Sequence, residues 1–248
     1  MSDDRDDYIK LNALRVEALY DHSVIPVAVM LCGASILLFI LWQKSNALPL
    51  LSWFFILILI TIGRYINVFQ YRVSEKIPEQ YIRWLNRYFF GAILSGMVWG
   101  SAAYIFITNN DIVDIGLLCM FMLVVAAGSI GIYSIFQRMY YGFNLPALIP
   151  LIIYLLSQHD ELLKSLGIII IIFIGFIFLI QYDAHKVINR LLVIQFDNRH
   201  LLNGYEKDQR RIKDLEALSY IKDIEIKKAR TELNNLKETI ESLKKATG

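Results

Sequence analysis

Six stretches of this chain run for 18 residues or more without a charged side chain: 24–42, 45–63, 88–110, 115–137, 139–158 and 165–182. A hydrocarbon layer of about 30 Å needs about 17–25 apolar residues in helical form. Backbone amides inside it must be paired within their own segment, so only helices and closed barrels are economical there. Each stretch therefore reads as a membrane-crossing helix, with spans near 24–42, 45–66, 88–108, 115–137, 142–158 and 165–183. The fifth contains Gly142, Pro146 and Pro150 and is expected to be kinked or broken. Mean hydropathy is +0.46 even though the last quarter of the chain is polar, which excludes an ordinary soluble domain.

The first apolar stretch is preceded by "MSDDRDDYIK", which is acidic and polar, and no small-residue cleavage site follows it. The segment is expected to be retained as a span and not removed as a signal peptide. Cys32 and Cys119 both fall inside spans, which leaves no extracellular disulfide framework and no zinc-binding spacing. Lys and Arg are distributed unevenly between the loops. Arg72, Lys76, Arg83 and Arg87 separate the second and third spans, Arg138 lies between the fourth and fifth, and Lys186 with Arg190 follows the sixth. The opposite loops offer Lys44, the acidic pair Asp111 and Asp114, and Lys164. This bias places both termini in the cytoplasm, as an even number of spans requires. The expected location is a membrane, with both termini on its cytoplasmic side.

Residues 1–23 place Ile9, Ala13, Val16 and Tyr20 at helical spacing among charged residues, a cytoplasmic amphipathic segment. The region 24–185 is the six-helix transmembrane domain. Residues 186–248 form a third region, in which apolar side chains recur in steps of three and four. Its a positions begin at Leu191, Asn198, Tyr205 and Ile212, and resume at Ile226, Leu233 and Ile240. Its d positions include Ile194, Leu201, Leu215, Ala229, Leu236 and Leu243. Asp208, Ser219 and Lys222 interrupt the stripe, with a shifted phase around Leu218, Ile221 and Ile224. A heptad pattern of this length predicts a coiled coil. Arg211 with Glu216, Glu225 with Arg230 and Glu232 with Lys237 form g-to-e pairs that favour parallel chains. A homo-oligomer, most simply a parallel dimer, is expected. Asn198 at an a position is the kind of polar residue that specifies register.

Catalytic spacings are absent. There is no phosphate-binding glycine loop, dinucleotide fingerprint, nucleophile elbow or His-Glu-x-x-His. His159, Asp160 and Glu161 are consecutive, so their side chains do not converge on one metal ion. His22, His185 and His200 read as solvated histidines. No enzyme activity, cofactor, metal or nucleic-acid partner is expected. Titratable side chains are scarce within the spans; Arg64 and Asp183 sit near the inner boundary, where they would snorkel. That scarcity argues against an ion-coupled transporter.

Small residues form two stripes, Gly96 with Gly100 in "SGMVWG" and Ala127 with Gly131 in "AAGSIG", both suited to close helix packing. Trp99, Tyr104, Tyr133 and Asn144 are candidates to bound a small cavity for an apolar ligand or lipid.

Several short motifs together resemble the six-span amino-terminal region of bacterial hybrid sensor histidine kinases and diguanylate cyclases. They are "RVEALY" at 15–20, Leu41-Trp42, Trp53, Arg64, "SGMVWG" at 95–100, "AAG" at 126–128, Pro146 with Pro150, and "FDN" at 196–198 with Leu201. The resemblance covers roughly residues 13–205 and implies a sensor whose signalling helix feeds a kinase or cyclase domain. No motif of either output domain occurs before "ESLKKATG". The expectation is therefore an all-α membrane protein: six transmembrane helices followed by a long cytoplasmic parallel coiled-coil helix. Its expected role is signal transmission to a separate or missing cytoplasmic partner. The alternative is a membrane-anchored scaffold whose coil recruits a cytoplasmic protein, and a channel or transporter is the third reading.

Overall fold

A computed structural model describes residues 2–42, 47–107 and 112–246. The described residues are helical between short turns, and no strand occurs among them. In chain order the helices are α1 (Ser2–Asp21), α2 (Val24–Leu41), α3 (Ala47–Val73), α4 (Tyr81–Phe106), α5 (Ile112–Gly128), α6 (Ile130–Tyr133), α7 (Gln137–Ser157) and α8 (Glu161–Ala246). A 3₁₀ turn, Pro78–Gln80, starts α4, with proline at the position where a missing N–H costs nothing. Six helical segments are long and apolar enough to cross a membrane. Lys44 and Asp111 lie outside the described residues.

The chain divides into two compact units, Met1–Ile194 and Gln195–Gly248. In the first, α4 is the central helix and touches α1, α3, α5 and α7. The buried positions of α4 explain why. Leu85, Tyr88, Ala92, Ser95, Gly96, Trp99, Gly100 and Ala103 recur at intervals of three and four, which stacks them on one side of the helix. Most of the contact is with α7.

Small residues let those two backbones meet. A methyl group built on Gly96 would lie 2.2 Å from the carbonyl oxygen of Phe143, and one on Gly100 would lie 2.1 Å from that of Pro146. Pro146 and Pro150 both stand inside α7, which does not break over Gln137–Ser157. Of the expected kink or break in the fifth span, the break is corrected: the helix is continuous through both prolines. Pro150 has no N–H, so the Pro146 carbonyl four residues earlier loses its helical donor. That carbonyl is the one covered by the Gly100 backbone, where a Cα–H can approach it. The fourth segment also runs on, from α5 through Ser129, itself in helical conformation, into the single turn of α6.

α1 packs onto the first unit through a stripe shifted from the expected one. Asn12, Val16, Leu19 and Tyr20 are buried, while Ile9 and Ala13 are only half-buried. Tyr20 stacks on Tyr71 with ring centroids 4.1 Å apart and meets Trp84 and Tyr88 edge-on. Its hydroxyl donates to the Trp84 carbonyl at 3.0 Å and accepts from Asn67 Nδ2 at 2.9 Å. Glu17 and Lys76 form an ion pair beside it. Tyr20→Phe keeps the rings but removes both hydrogen bonds. It is expected to lower stability by about 1–2 kcal/mol, read as a reduced unfolding midpoint of purified protein.

Within the first unit α8 presents Leu163, Ile170, Ile174, Ile177, Gln181 and Leu192 to the core. His185 Nδ1 donates to the Ser134 carbonyl oxygen at 2.6 Å, and Asn189 Nδ2 donates to the His185 carbonyl at 2.9 Å. His185 is thus a half-buried structural contact to the turn after α6, where the sequence alone points to a solvated ring. In the second unit every described side chain except the half-buried Phe196 is exposed. Its large apolar ones include Leu201, Tyr205, Ile212, Leu215, Ile226 and Leu233.

Candidate functional site

Arg64 lies in the interior of α3, nine residues before its end at Val73. At 1.5 Å per residue it sits roughly two and a half turns inside the helix terminus. Its side chain is 8% exposed. The expectation that it snorkels outward is corrected, because the acceptors it finds lie inward. Nη1 donates to Ser95 Oγ at 3.3 Å, and Nη2 donates to the hydroxyls of Tyr133 at 3.0 Å and Tyr88 at 3.4 Å. The Tyr88 ring also lies under the guanidinium, 5.4 Å from its centre, a favourable cation–π distance. Ser95 Oγ in turn donates to the Gly91 carbonyl at 2.9 Å.

Helices α3, α4 and α6 each contribute to this cluster, and the fold has to be assembled before it exists. Gly91 makes room for it, since a methyl group there would lie 3.3 Å from Arg64 Cγ. All three partners are hydroxyls and none is a carboxylate. No described carboxylate pairs with Arg64. A guanidinium taken out of water without a countercharge is expensive, and an ionisable group held inside an apolar bundle is a functional candidate for that reason.

Arg64 is a wall of three cavities, two of them large. One, of about 470 Å³, opens between α2 and α5 and is lined by aliphatic side chains together with Cys32, Ser129 and Tyr133. The other, of about 390 Å³, lies between α3 and α4 and includes Asn67, Arg87 and Tyr88. Arg87 is exposed and rests over the Trp84 ring at 5.0 Å.

The four cavity residues inferred from sequence are not gathered around one space. Tyr133 is buried, lines the α2–α5 cavity and holds Arg64. Asn144 is buried one layer behind, where its Nδ2 donates to Ser129 Oγ at 2.8 Å and its Oδ1 has no partner. Trp99 packs edge-on against Trp53 at 5.6 Å, and its indole N–H is likewise unpartnered. Tyr104 is exposed and meets Tyr154 at 6.2 Å. None of Trp99, Tyr104 and Asn144 lines either cavity.

The two small-residue stripes also separate. Gly96 and Gly100 lie against the α7 backbone, whereas Ala127 is exposed and Gly131 is exposed with open space beside it. Of the heptad residues, Leu191, Ile194, Asn198, Leu201, Ile212, Leu215, Ile226 and Leu233 are exposed in the single chain. Leu236, Ile240 and Leu243 belong to α8, but their side chains lie outside the described residues.

Arg64 is the residue that sequence reasoning undervalued. The available signal was a single arginine inside the apolar run 47–71, combined with hydroxyl-bearing residues on other spans. No protein-family model, no curated protein and no solved structure matches the chain.

Proposed function

We propose that the chain is a membrane-embedded sensor and signal-transmission module of a bacterial inner membrane. Its six apolar segments cross the bilayer with both termini on the Lys/Arg-rich cytoplasmic side. Two copies join through a parallel coiled coil formed by the end of α8. Their output acts on a cytoplasmic partner outside these residues.

The observation that carries this reading is the exposed apolar stripe on α8. Ile212, Leu215, Ile226 and Leu233 stand 47%, 67%, 53% and 54% exposed in the single chain. A helix end of this kind has no internal core to cover the stripe, and a second helix in heptad register covers it completely. Large apolar side chains are also exposed on the first unit, among them Phe39, Leu48, Phe69, Phe90 and Phe176. Such exposure is costly in water and ordinary in lipid. The resemblance of "SGMVWG", "AAG" and "FDN" to six-span sensor regions agrees with the same role. A stimulus acts by favouring one of two arrangements of the spans, and α8 carries the bias toward the output partner.

Cysteine substitution tests the coil directly. Ile226→Cys and Leu233→Cys, each introduced in a background lacking Cys32 and Cys119, are expected to form like-with-like disulfides in membranes under mild oxidation. Thr231→Cys, at an outward f position, is expected to remain monomeric. Equal cross-linking at all three sites, or none at Ile226 and Leu233, refutes the register.

A further inference from the structure

We propose that the cavity between α2 and α5 binds a single-chain anionic amphiphile, a long-chain carboxylate, with its headgroup on Arg64 and Tyr133. The site is a greasy cleft with one charge in its wall. Val27, Met30, Ile36, Val124, Val125 and Ile132 supply apolar lining, and Arg64 is the charged residue among the lining side chains. Its volume of about 470 Å³ falls within the roughly 300–1,000 Å³ typical of ligand sites. The cleft holds one acyl chain and not the two chains and glycerol of a membrane phospholipid.

The headgroup chemistry follows from what Arg64 lacks. A guanidinium has five N–H donors. Three are committed to Ser95, Tyr88 and Tyr133, which leaves two. The Tyr133 hydroxyl accepts from Arg64, so its own proton remains for another acceptor. A carboxylate entering the cleft takes up these donors and supplies the countercharge that no described side chain provides. The gain is large because the cation is already desolvated. A neutral alcohol of equal chain length buries the same apolar surface without that gain. This proposal does not depend on the coiled coil, and the two can fail separately.

Binding of carboxyl-¹³C tetradecanoate to the full chain in neutral phosphatidylcholine nanodiscs tests it, with tetradecanol and phosphatidylglycerol as competitors. Tetradecanoate is expected to bind saturably, at least about tenfold more tightly than tetradecanol. Arg64→Gln is expected to weaken binding about tenfold or more and to abolish the carboxyl shift. Gly33 lines the cleft with open space beside it, so Gly33→Leu is expected to fill the cleft and block binding while the unfolding midpoint stays unchanged. Should Arg64→Gln fail to fold, Gly33→Leu and Tyr133→Phe decide the matter, the latter by a loss of several-fold. Equal affinity for acid and alcohol, or unaltered binding in Gly33→Leu, overturns the proposal. So does displacement by phosphatidylglycerol at equal concentration, which would assign the cleft to bulk lipid. Spontaneous Cys32–Cys32 disulfides between copies, with no tetradecanoate binding, would assign it to a second copy.

Discussion

Alanine at Gly100 is expected to lower the unfolding midpoint of the purified protein by about 6–12 °C, an effect of about 3 kcal/mol. The new methyl carbon would stand 2.1 Å from the Pro146 carbonyl oxygen and 3.0 Å from Pro150 Cγ. A clash with a flexible side-chain tip can relax by rotation, but this one is with backbone. To relieve it, α4 and α7 must separate, and most of the packing between the central helix and its main neighbour loosens with them. The separation also uncovers a carbonyl that Pro150 has already deprived of its helical donor. Gly96→Ala meets the Phe143 carbonyl at 2.2 Å and is expected to behave alike. Gly131→Ala is the control, since nothing lies within 4 Å of its position. Alanine there is expected to be neutral or to stabilise by up to about 1 kcal/mol, through better helix propensity. Thermal unfolding followed by circular dichroism in detergent separates the two cases. Equal midpoints for Gly100→Ala and Gly131→Ala would show that the α4–α7 contact is not the close one described.

Ile226→Lys combined with Leu233→Lys is expected to weaken self-association of the full chain at least about 100-fold. Each substitution forfeits burial worth about 1.5–3 kcal/mol, and 1.4 kcal/mol is a factor of ten. In a parallel pair each lysine also faces its own copy, which adds like-charge repulsion inside the seam. Thr231→Lys, on the outward side of the same turns, is expected to leave association within about threefold, since exposed charges contribute little. Sedimentation or light scattering in detergent reads the monomer–dimer balance. Association unaffected by the double substitution would mean that α8 does not pair through these positions. The tetradecanoate experiment would retain its meaning in that case, because the α2–α5 cleft lies wholly within the first unit.

Much of the helical architecture was legible before folding was considered. Apolar runs of 18 residues or more cannot be satisfied as loops, and their lengths locate α2, α3, α4, α5, α7 and the first part of α8 to within about two turns. The ends were harder. α3 extends to Val73, past the expected boundary at 66, and α4 begins at Tyr81, ahead of 88. Polar residues there continue the helix because Tyr71, Leu85 and Tyr88 still have a core to join. Pro146 and Pro150 led the sequence reading to a break that α7 does not show. Proline's local penalty is offset when a neighbouring backbone covers the freed carbonyl, and that neighbour, Gly100, is 46 residues away.

An all-helical chain with six segments long enough to cross a membrane and a heptad-patterned end is written in the order of its residues. Those properties depend on periods of three to four residues and on run lengths, which are local. Packing between helices settles which glycines are contacts and turns Arg64 inward. It also places Tyr133, rather than Trp99, Tyr104 or Asn144, in the wall of a cavity with Arg64. Each of these depends on how one helix is rotated against another. Rotation is set by pairs such as Arg64 with Tyr133 and Gly100 with Pro146, 69 and 46 residues apart, which no local pattern can bring together.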